Sequence, residues 1–172
     1  MRRNRRVSFI EMDFSADKFN EIKNEARGFY NTVGKVWCPY FQEEINFNTK
    51  GFDHLIFKKW NKTRVLADQF SRLRHIKLAP EVIRNSKTLQ GLWGTLKIER
   101  IKQNSRWEKA SRNVTYYEFI AIMDSHGSKI RIKVIVKQVE GGEKYFWSLI
   151  PFWGIDKTNN QRTMHSGDPE ND

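Results

Sequence analysis

The sequence predicts a single α+β domain in which N-terminal helices pack on a four-stranded antiparallel β-meander. Two observations support this fold class. Apolar residues recur at helical spacing up to about residue 86, and after Gly91 they alternate at every second position. The second half also contains four stretches rich in β-branched and aromatic residues, separated by polar connections. With 172 residues, the chain is long enough to bury one core without disulfide bonds.

The domain is expected to span residues 15–155. Residues 1–14 form a basic N-terminal arm, and the apolar content falls after Trp153, so residues 156–172 are predicted to be a disordered polar tail. The single cysteine, Cys38, excludes an internal disulfide and a cysteine-rich zinc site. No apolar run approaches the roughly 20 residues of a membrane span, and no apolar signal-peptide segment follows the basic start. We therefore expect a cytoplasmic protein without a membrane segment.

The first helix is predicted from Ser15, a typical N-cap residue, to about Gly34. Pro39 prevents the helix from continuing. Its apolar side is formed by Phe19, Ile22, Ala26, Phe29 and Tyr30.

A short strand is predicted over residues 41–47, and the segment that follows it, residues 48–64, is dense in cationic and apolar side chains. This segment fits one face of a helix through Phe52, Leu55, Ile56 and Trp60. Its alternation also fits a strand, so periodicity leaves both alternatives open. In either case His54 lies beside apolar neighbours and within a few residues of Lys50, Lys58 and Lys59.

Two further helices complete the N-terminal half. Thr63 is predicted to cap the first of them, whose apolar side contains Leu66, Phe70, Leu73 and Ile76. The other side carries Arg64, Asp68, Arg72 and His75, a spacing that also fits an exposed ladder of ion pairs. The second helix is short, with Pro80 in its first turn and Asn85 near its end.

The four predicted strands cover residues 94–102, 115–123, 129–139 and 144–150. A polar segment over residues 103–113 and turns at residues 124–127 and 140–143 join them. The third strand places Ile130, Ile132, Val134 and Val136 on one face and Lys129, Arg131, Lys133 and Lys137 on the other. One face of the sheet is therefore expected to pack on the helices and the other to be cationic.

The net charge of +11 favours a polyanionic partner. Between residues 50 and 112 lie 16 of the 31 basic and 5 of the 20 acidic residues, so the whole excess is in the middle of the chain. Such localisation indicates nucleic acid rather than a membrane surface, because no helix combines a cationic face with a bulky apolar stripe.

The residue types of the central region favour chemistry that needs no metal or other cofactor. Its carboxylates are dispersed among cations, and there is no Gly-rich phosphate loop and no Gly-x-Ser-x-Gly motif. Cleavage of RNA by its own 2′-hydroxyl remains compatible with these residues. That reaction needs a general base, a general acid and positive charge around the phosphorus, which histidine, lysine and arginine supply.

Two stretches carry a resemblance to a known family. The segment Lys50-Gly51-Phe52-Asp53-His54-Leu55, ahead of a helix over residues 64–73, resembles the phage-associated branch of the barnase–EndoU–colicin–RelE-like (BECR-fold) ribonucleases. The closing segment, residues 145–153, is similar to that group's terminal strand with its aromatic-Ser/Thr-Ile-Pro pattern. The resemblance covers roughly residues 43–153 and implies a metal-independent endoribonuclease, often a toxin or a phage-associated effector that binds RNA.

The resemblance also implies site residues. Its motifs assign catalytic roles to His54, to Lys58 or Lys59, to Arg64 or Arg72, and to Ser148, and the strand alternation adds Lys133 or Arg131 as a cation on the sheet face. Phe57 and Lys58 stand where some members have a second histidine. The candidate nucleic-acid-binding residues are Lys50, Lys59, Lys62, Arg74, Lys129, Arg131, Lys137 and Trp147.

Two other classes of function fit the same basic surface. The first is an RNA- or DNA-binding module without catalytic activity. The second is an interaction protein that meets an acidic partner, such as an antitoxin or immunity protein.

Overall fold

The computed structural model describes residues 15–59 and 62–151, apart from the side chains of Lys59, Ile101 and Gln103. In this part of the chain, helices α1 to α4 span Ala16–Val33, Thr49–Ile56, Leu66–His75 and Ala79–Asn85, and a 3-10 turn at Ile76–Leu78 joins the last two. Strands β1 to β8 span Lys35–Cys38, Glu43–Asn46, Phe57–Lys59, Lys62–Thr63, Gly91–Gln103, Arg106–Ser125, Ser128–Val139 and Tyr145–Pro151. The predicted arm (1–14) and tail (156–172) lie outside the described residues.

The predicted α+β class is confirmed, but the sheet is larger than predicted and mixed. Its strand order is β1-β2-β8-β7-β6-β5, and β3 and β4 form a separate two-stranded sheet. The last four strands pair antiparallel in chain order, whereas β2 pairs parallel to β8 where Asn46 lies beside Tyr145. The sequence prediction lacked β1, whose four residues between Gly34 and Pro39 are too few for a clear alternation.

The first two meander strands form a long hairpin, so the polar connection predicted over residues 103–113 is wrong. Strand β5 pairs with β6 over its whole length, and the turn consists of Asn104 and Ser105, with φ of 47° and 67°. Two consecutive positive φ angles are typical of tight hairpin turns. The turn between β6 and β7 repeats this geometry at His126 and Gly127. Most hairpin side chains near the first turn are exposed, so no apolar alternation marked them as strand.

The main core lies between the helices and one face of the sheet. Helix α1 begins as predicted, because the Ser15 side chain accepts a hydrogen bond from the Lys18 backbone, and it buries Ala26 and Tyr30. The predicted core side of β7 is also confirmed, since Ile130, Ile132, Val134 and Val136 all belong to this cluster. None of the described helices is long and apolar enough to cross a membrane.

Helix α2 is seated directly on β8. Tyr30 donates a hydrogen bond to the Asn48 carbonyl (2.8 Å), which ties α1 to the start of α2. The ring of Phe47 stacks on that of Phe146, with centroids 4.9 Å apart. A Cβ at Gly51 would lie 2.2 Å from the Phe146 carbonyl oxygen and 2.6 Å from the Tyr30 hydroxyl. The close approach of α2 to the sheet therefore requires glycine at this position.

We expect Gly51→Ala to lower the free energy of unfolding by about 3 kcal/mol, because the added methyl overlaps a backbone carbonyl that cannot move away. Gly28→Ala in α1 is the matched control, since nothing lies within 4 Å of its Cβ position. That change should raise the stability by about 0.5–1 kcal/mol through the helix propensity of alanine. Urea unfolding of both variants measures the difference, and equal effects would contradict the packing described for α2.

The second face of the sheet differs from the cationic face that the sequence predicted. It holds a second apolar cluster that consists of Val114, Tyr116, Ile135, Tyr145, Trp147 and Ile150. Lys133 and Lys137 lie on this face but are buried and ion-paired, Lys133 with Glu118 (3.2 Å) and Lys137 with Glu99 (3.9 Å). Glu118 on β6 and Glu99 on β5 thus pair with two lysines that the alternation within β7, taken by itself, predicted to be exposed.

Candidate active site

The segment 48–64 contains both alternatives that periodicity left open. The segment is helical as α2 up to Ile56, and Phe57 begins strand β3, which pairs with β4. The Asn48 side chain caps α2 by accepting a hydrogen bond from the Gly51 backbone (3.2 Å). The helix places His54 on its buried side, next to Leu55 and Ile56.

His54 is 5% exposed and is held between an indole and a guanidinium. Its ring stacks on Trp147, with centroids 4.0 Å apart and an interplanar angle of 26°. The Nη2 atom of Arg64 is 3.4 Å from both ring nitrogens. An approach in the ring plane at equal distances would collide with the Cε1 hydrogen, so the Nη2 atom lies out of the ring plane. Arg64 Nε also donates a hydrogen bond to the His54 carbonyl (2.9 Å), which fixes the position of α2.

Arg64 is not part of a Thr63-capped helix, so that prediction is wrong. Helix α3 begins at Leu66, and Thr63 is exposed in β4. The Arg64 backbone donates to the Ile56 carbonyl (2.8 Å), which keeps this stretch extended. Leu66, predicted on the apolar side, is 55% exposed.

The polar side of α3 is buried rather than an exposed ladder of ion pairs. Asp68 accepts from Arg64 (3.2 Å) and from Arg72 (2.8 Å), and both arginine side chains are almost fully buried. Burial favours the neutral form of the Asp68 carboxyl, but Arg72 and Arg64 outweigh it and hold its pKa below the usual value. The two guanidinium groups thus share one carboxylate.

Arg72 connects this network to the last strand. Its Nη1 atom donates to the Ser148 hydroxyl (2.7 Å) and to the Leu149 carbonyl (3.2 Å). The hydroxyl faces the second side of the sheet because β8 bulges at Trp147, where the partner of Val136 is Phe146 and that of Ile135 is Ser148. Ser148 is fully buried in this arrangement and contributes to positioning rather than to the surface of a site.

A cavity of about 910 Å³ opens beside His54. It is bounded by α2 and β3, by the start of β8, and by the β5–β6 hairpin. Its lining residues are Lys50, Asp53, His54, Phe57, Lys58, Ile98, Glu99, Arg100, Trp107, Lys137, Tyr145 and Trp147. Four cations and two carboxylates thus surround one imidazole and four aromatic rings.

Lys137 is a cavity-lining cation that lies over the Trp147 ring. Its Nζ atom lies 4.0 Å from the centre of the Trp147 ring and 5.5 Å from that of Tyr116. The Nζ atom of Lys50 lies 6.0 Å from the centre of the Tyr145 ring. Burial, with a smaller contribution from Glu99, raises the pKa of Tyr145, so its hydroxyl keeps its proton at neutral pH.

The structure brings together part of the predicted site. Lys50, His54, Lys58, Lys137 and Trp147 line the cavity, and Arg64, Arg72 and Ser148 form the network that supports His54. The predicted catalytic role of Lys133 is corrected, because Lys133 pairs with Glu118 and does not line the cavity. The lysine of β7 that lines the cavity is Lys137.

The other predicted nucleic-acid-binding residues lie elsewhere. Arg74 lines a different cavity of about 280 Å³, with His75 and His126. Lys129 and Lys62 are exposed, Arg131 is half-buried, and none of the three lines the cavity beside His54. The Lys59 side chain lies outside the described part of the structure.

Several lining residues were not predicted from the sequence, namely Asp53, Phe57, Ile98, Glu99, Arg100, Trp107 and Tyr145. The position of Tyr145 in the site could have been predicted from the sequence, because Tyr145 precedes Trp147 by two positions and shares its strand face. That of Trp107 could not, because the residues around it were interpreted as a connection between strands.

Among residues 15–59 and 62–151, no three His, Cys, Asp or Glu side chains form a group that could hold a metal ion. Comparison with known proteins identified no relative, since no protein-family model, no curated protein and no solved structure matches the chain significantly.

Proposed function

We propose that this protein is a metal-independent endoribonuclease that binds RNA in the cavity beside His54. The observation that carries the proposal is that His54 and Lys137 contact the same indole, that of Trp147, at 4.0 Å each, and both line that cavity. An imidazole and an ammonium group that line one cavity can act on one bound nucleotide, the first as a proton acceptor and the second as positive charge for the phosphate.

The reaction assigned to the site is attack of a 2′-hydroxyl on the adjacent phosphorus. His54 accepts the hydroxyl proton, the 2′-oxygen bonds to phosphorus, and the bond to the 5′-oxygen breaks. Since attacking and leaving oxygens lie roughly in line, a separate donor must protonate the leaving oxygen. Lys50, Lys58 and the protonated Tyr145 hydroxyl are the donors that the cavity offers. The products are a 2′,3′-cyclic phosphate and a 5′-hydroxyl.

The remaining predicted residues act through His54. Arg64 fixes the ring and the end of α2, while Asp68 and Arg72 hold Arg64 and link it to Ser148 on β8. These are positioning residues. The order of helices followed by the antiparallel strands β5–β8 supports the proposal that the domain is a BECR-like ribonuclease, with β1 and β2 added at the sheet edge.

An RNA-binding module without cleavage is the second candidate. The positions of Ser148, Arg72 and Lys133 favour it, because none of the three lines the cavity in which RNA is proposed to bind. Both candidates take RNA as the partner, and an acidic inhibitor protein would bind the same cations. Cleavage activity therefore separates them.

We expect Lys137→Gln to lower RNA cleavage about 100-fold, because it removes the cavity-lining ammonium group that lies over Trp147 and is proposed to stabilise the phosphate. The test incubates purified protein with labelled RNA in excess EDTA. Lys129→Gln, the same change on the exposed end of β7, is the matched control and should leave cleavage nearly unchanged. Similar losses in both variants would contradict the assigned site, and RNA binding without cleavage by the wild type would favour the second candidate.

A further inference from the structure

The β5–β6 hairpin presents an aromatic ring where it borders the cavity. Trp107 is 63% exposed and pairs across the strands with Lys102. The guanidinium of Arg100, diagonal to it on β5, lies 6.0 Å from the centre of its ring. The hairpin thus presents a planar apolar ring with a cation beside it.

The Trp107 ring and its neighbours on the hairpin line the same cavity as His54. Trp107, Arg100 and Ile98 line the cavity from the hairpin, whereas His54 and Trp147 line it from α2 and β8. Phe57, 42% exposed on β3, contributes another ring to the same cavity. Planar apolar surfaces with a nearby cation match a nucleobase and its phosphate, since bases stack on indole and guanidinium groups.

We infer that Trp107 and Arg100 form a nucleobase-binding subsite on the hairpin, separate from the His54–Lys137 pair, and that this subsite selects unpaired nucleotides. The inference rests on the proposed function in taking RNA as the ligand. Bases within an A-form duplex are stacked on each other and hidden from side chains, so only a single strand offers a free base to the indole.

Binding of a 2′-O-methyl RNA oligonucleotide tests the subsite without cleavage, because the probe lacks the attacking hydroxyl. Fluorescence titration should show that Trp107→Ala weakens binding about 5- to 100-fold, the range expected for loss of one stacked base. Trp93→Ala is the matched control, since Trp93 is 48% exposed on β5 but does not line the cavity. It should change the affinity less than about twofold, and Trp107→Phe should retain most of the wild-type affinity.

Two further probes make the assignment specific. An abasic residue at the position whose base stacks on Trp107 should weaken wild-type binding by the same factor as Trp107→Ala does. The Trp107→Ala variant should bind the abasic and the intact probe equally. A duplex of the same sequence should bind the wild type at least about tenfold more weakly than the single strand. Equal loss in the Trp107 and Trp93 variants, or equal affinity for duplex and single strand, would overturn the subsite.

Cleavage measured on unmodified RNA separates this inference from the proposed function. Cleavage with no effect of Trp107→Ala on binding would overturn the subsite alone. A Trp107-dependent affinity without cleavage would overturn the nuclease assignment and leave the subsite intact. No binding of any RNA would overturn both.

Discussion

His54→Gln should lower RNA cleavage at neutral pH by at least about 100-fold, while the affinity for RNA falls only severalfold. His54 is the only histidine that lines the cavity among the residues described, and it carries the base role in the proposed reaction. Lysines and aromatic rings provide most of the affinity, so binding should survive the change. The two quantities are measured on the same RNA, as cleavage rate in EDTA and as Kd for a 2′-O-methyl probe.

The matched control is His126→Gln in the β6–β7 turn, which replaces an exposed histidine remote from the cavity. It should leave both cleavage and binding unchanged. Urea unfolding of both variants checks that His54→Gln still folds, since its ring is packed against Trp147. A folded His54→Gln protein that cleaves as fast as the wild type would contradict the role assigned to this residue.

Asp68→Asn should lower the free energy of unfolding by about 3 kcal/mol, because it leaves two buried guanidinium groups without their shared carboxylate. The same change should reduce cleavage, since Arg64 would no longer hold the His54 ring. Glu25→Gln is the control for loss of a carboxylate from an ion pair. Glu25 pairs with Lys77 on the exposed surface, so its removal should have a much smaller effect.

The effect of Asp68→Asn should depend on pH in a defined direction. The folded-state pKa of Asp68 lies below its ordinary value of 3.8, so the ionised carboxylate stabilises the folded protein. That stabilisation is fully present above the unfolded pKa and is lost as the pH falls through the folded pKa. The difference between wild type and Asp68→Asn should therefore be largest near neutral pH and shrink below about pH 4. Urea unfolding across this range measures it, and a difference that grows on acidification would contradict the network.

Features that depend on neighbours within one or two turns were predictable from the sequence. The Ser15 cap and the start of α1 follow from the side chain and its third neighbour. The core side of β7 follows from simple alternation. In the segment around His54, both periodicities were present because the backbone changes from helix to strand at Phe57.

Features that depend on distant partners were not predictable. Arg72 is buried because Ser148, 76 residues away, accepts its hydrogen bond. That contact exists only because β8 bulges at Trp147, which turns the serine to the second face of the sheet. Lys133 and Lys137 look equivalent on β7 and both pair with carboxylates of neighbouring strands, but of the two it is Lys137 that lines the cavity. Trp107 joins the site through residues 103–113 of the hairpin, where exposed, mainly polar side chains gave no strand pattern.

The chemical identity of the products tests the central claim most directly. A purified preparation incubated in EDTA with an RNA oligonucleotide of known sequence should yield fragments that end in a 2′,3′-cyclic phosphate, detected by mass spectrometry. A single 2′-deoxy substitution at the cleaved nucleotide should abolish the reaction, because it removes the attacking hydroxyl. Fragments with 5′-phosphate ends, cleavage that persists after the deoxy substitution, or intact RNA would contradict the account.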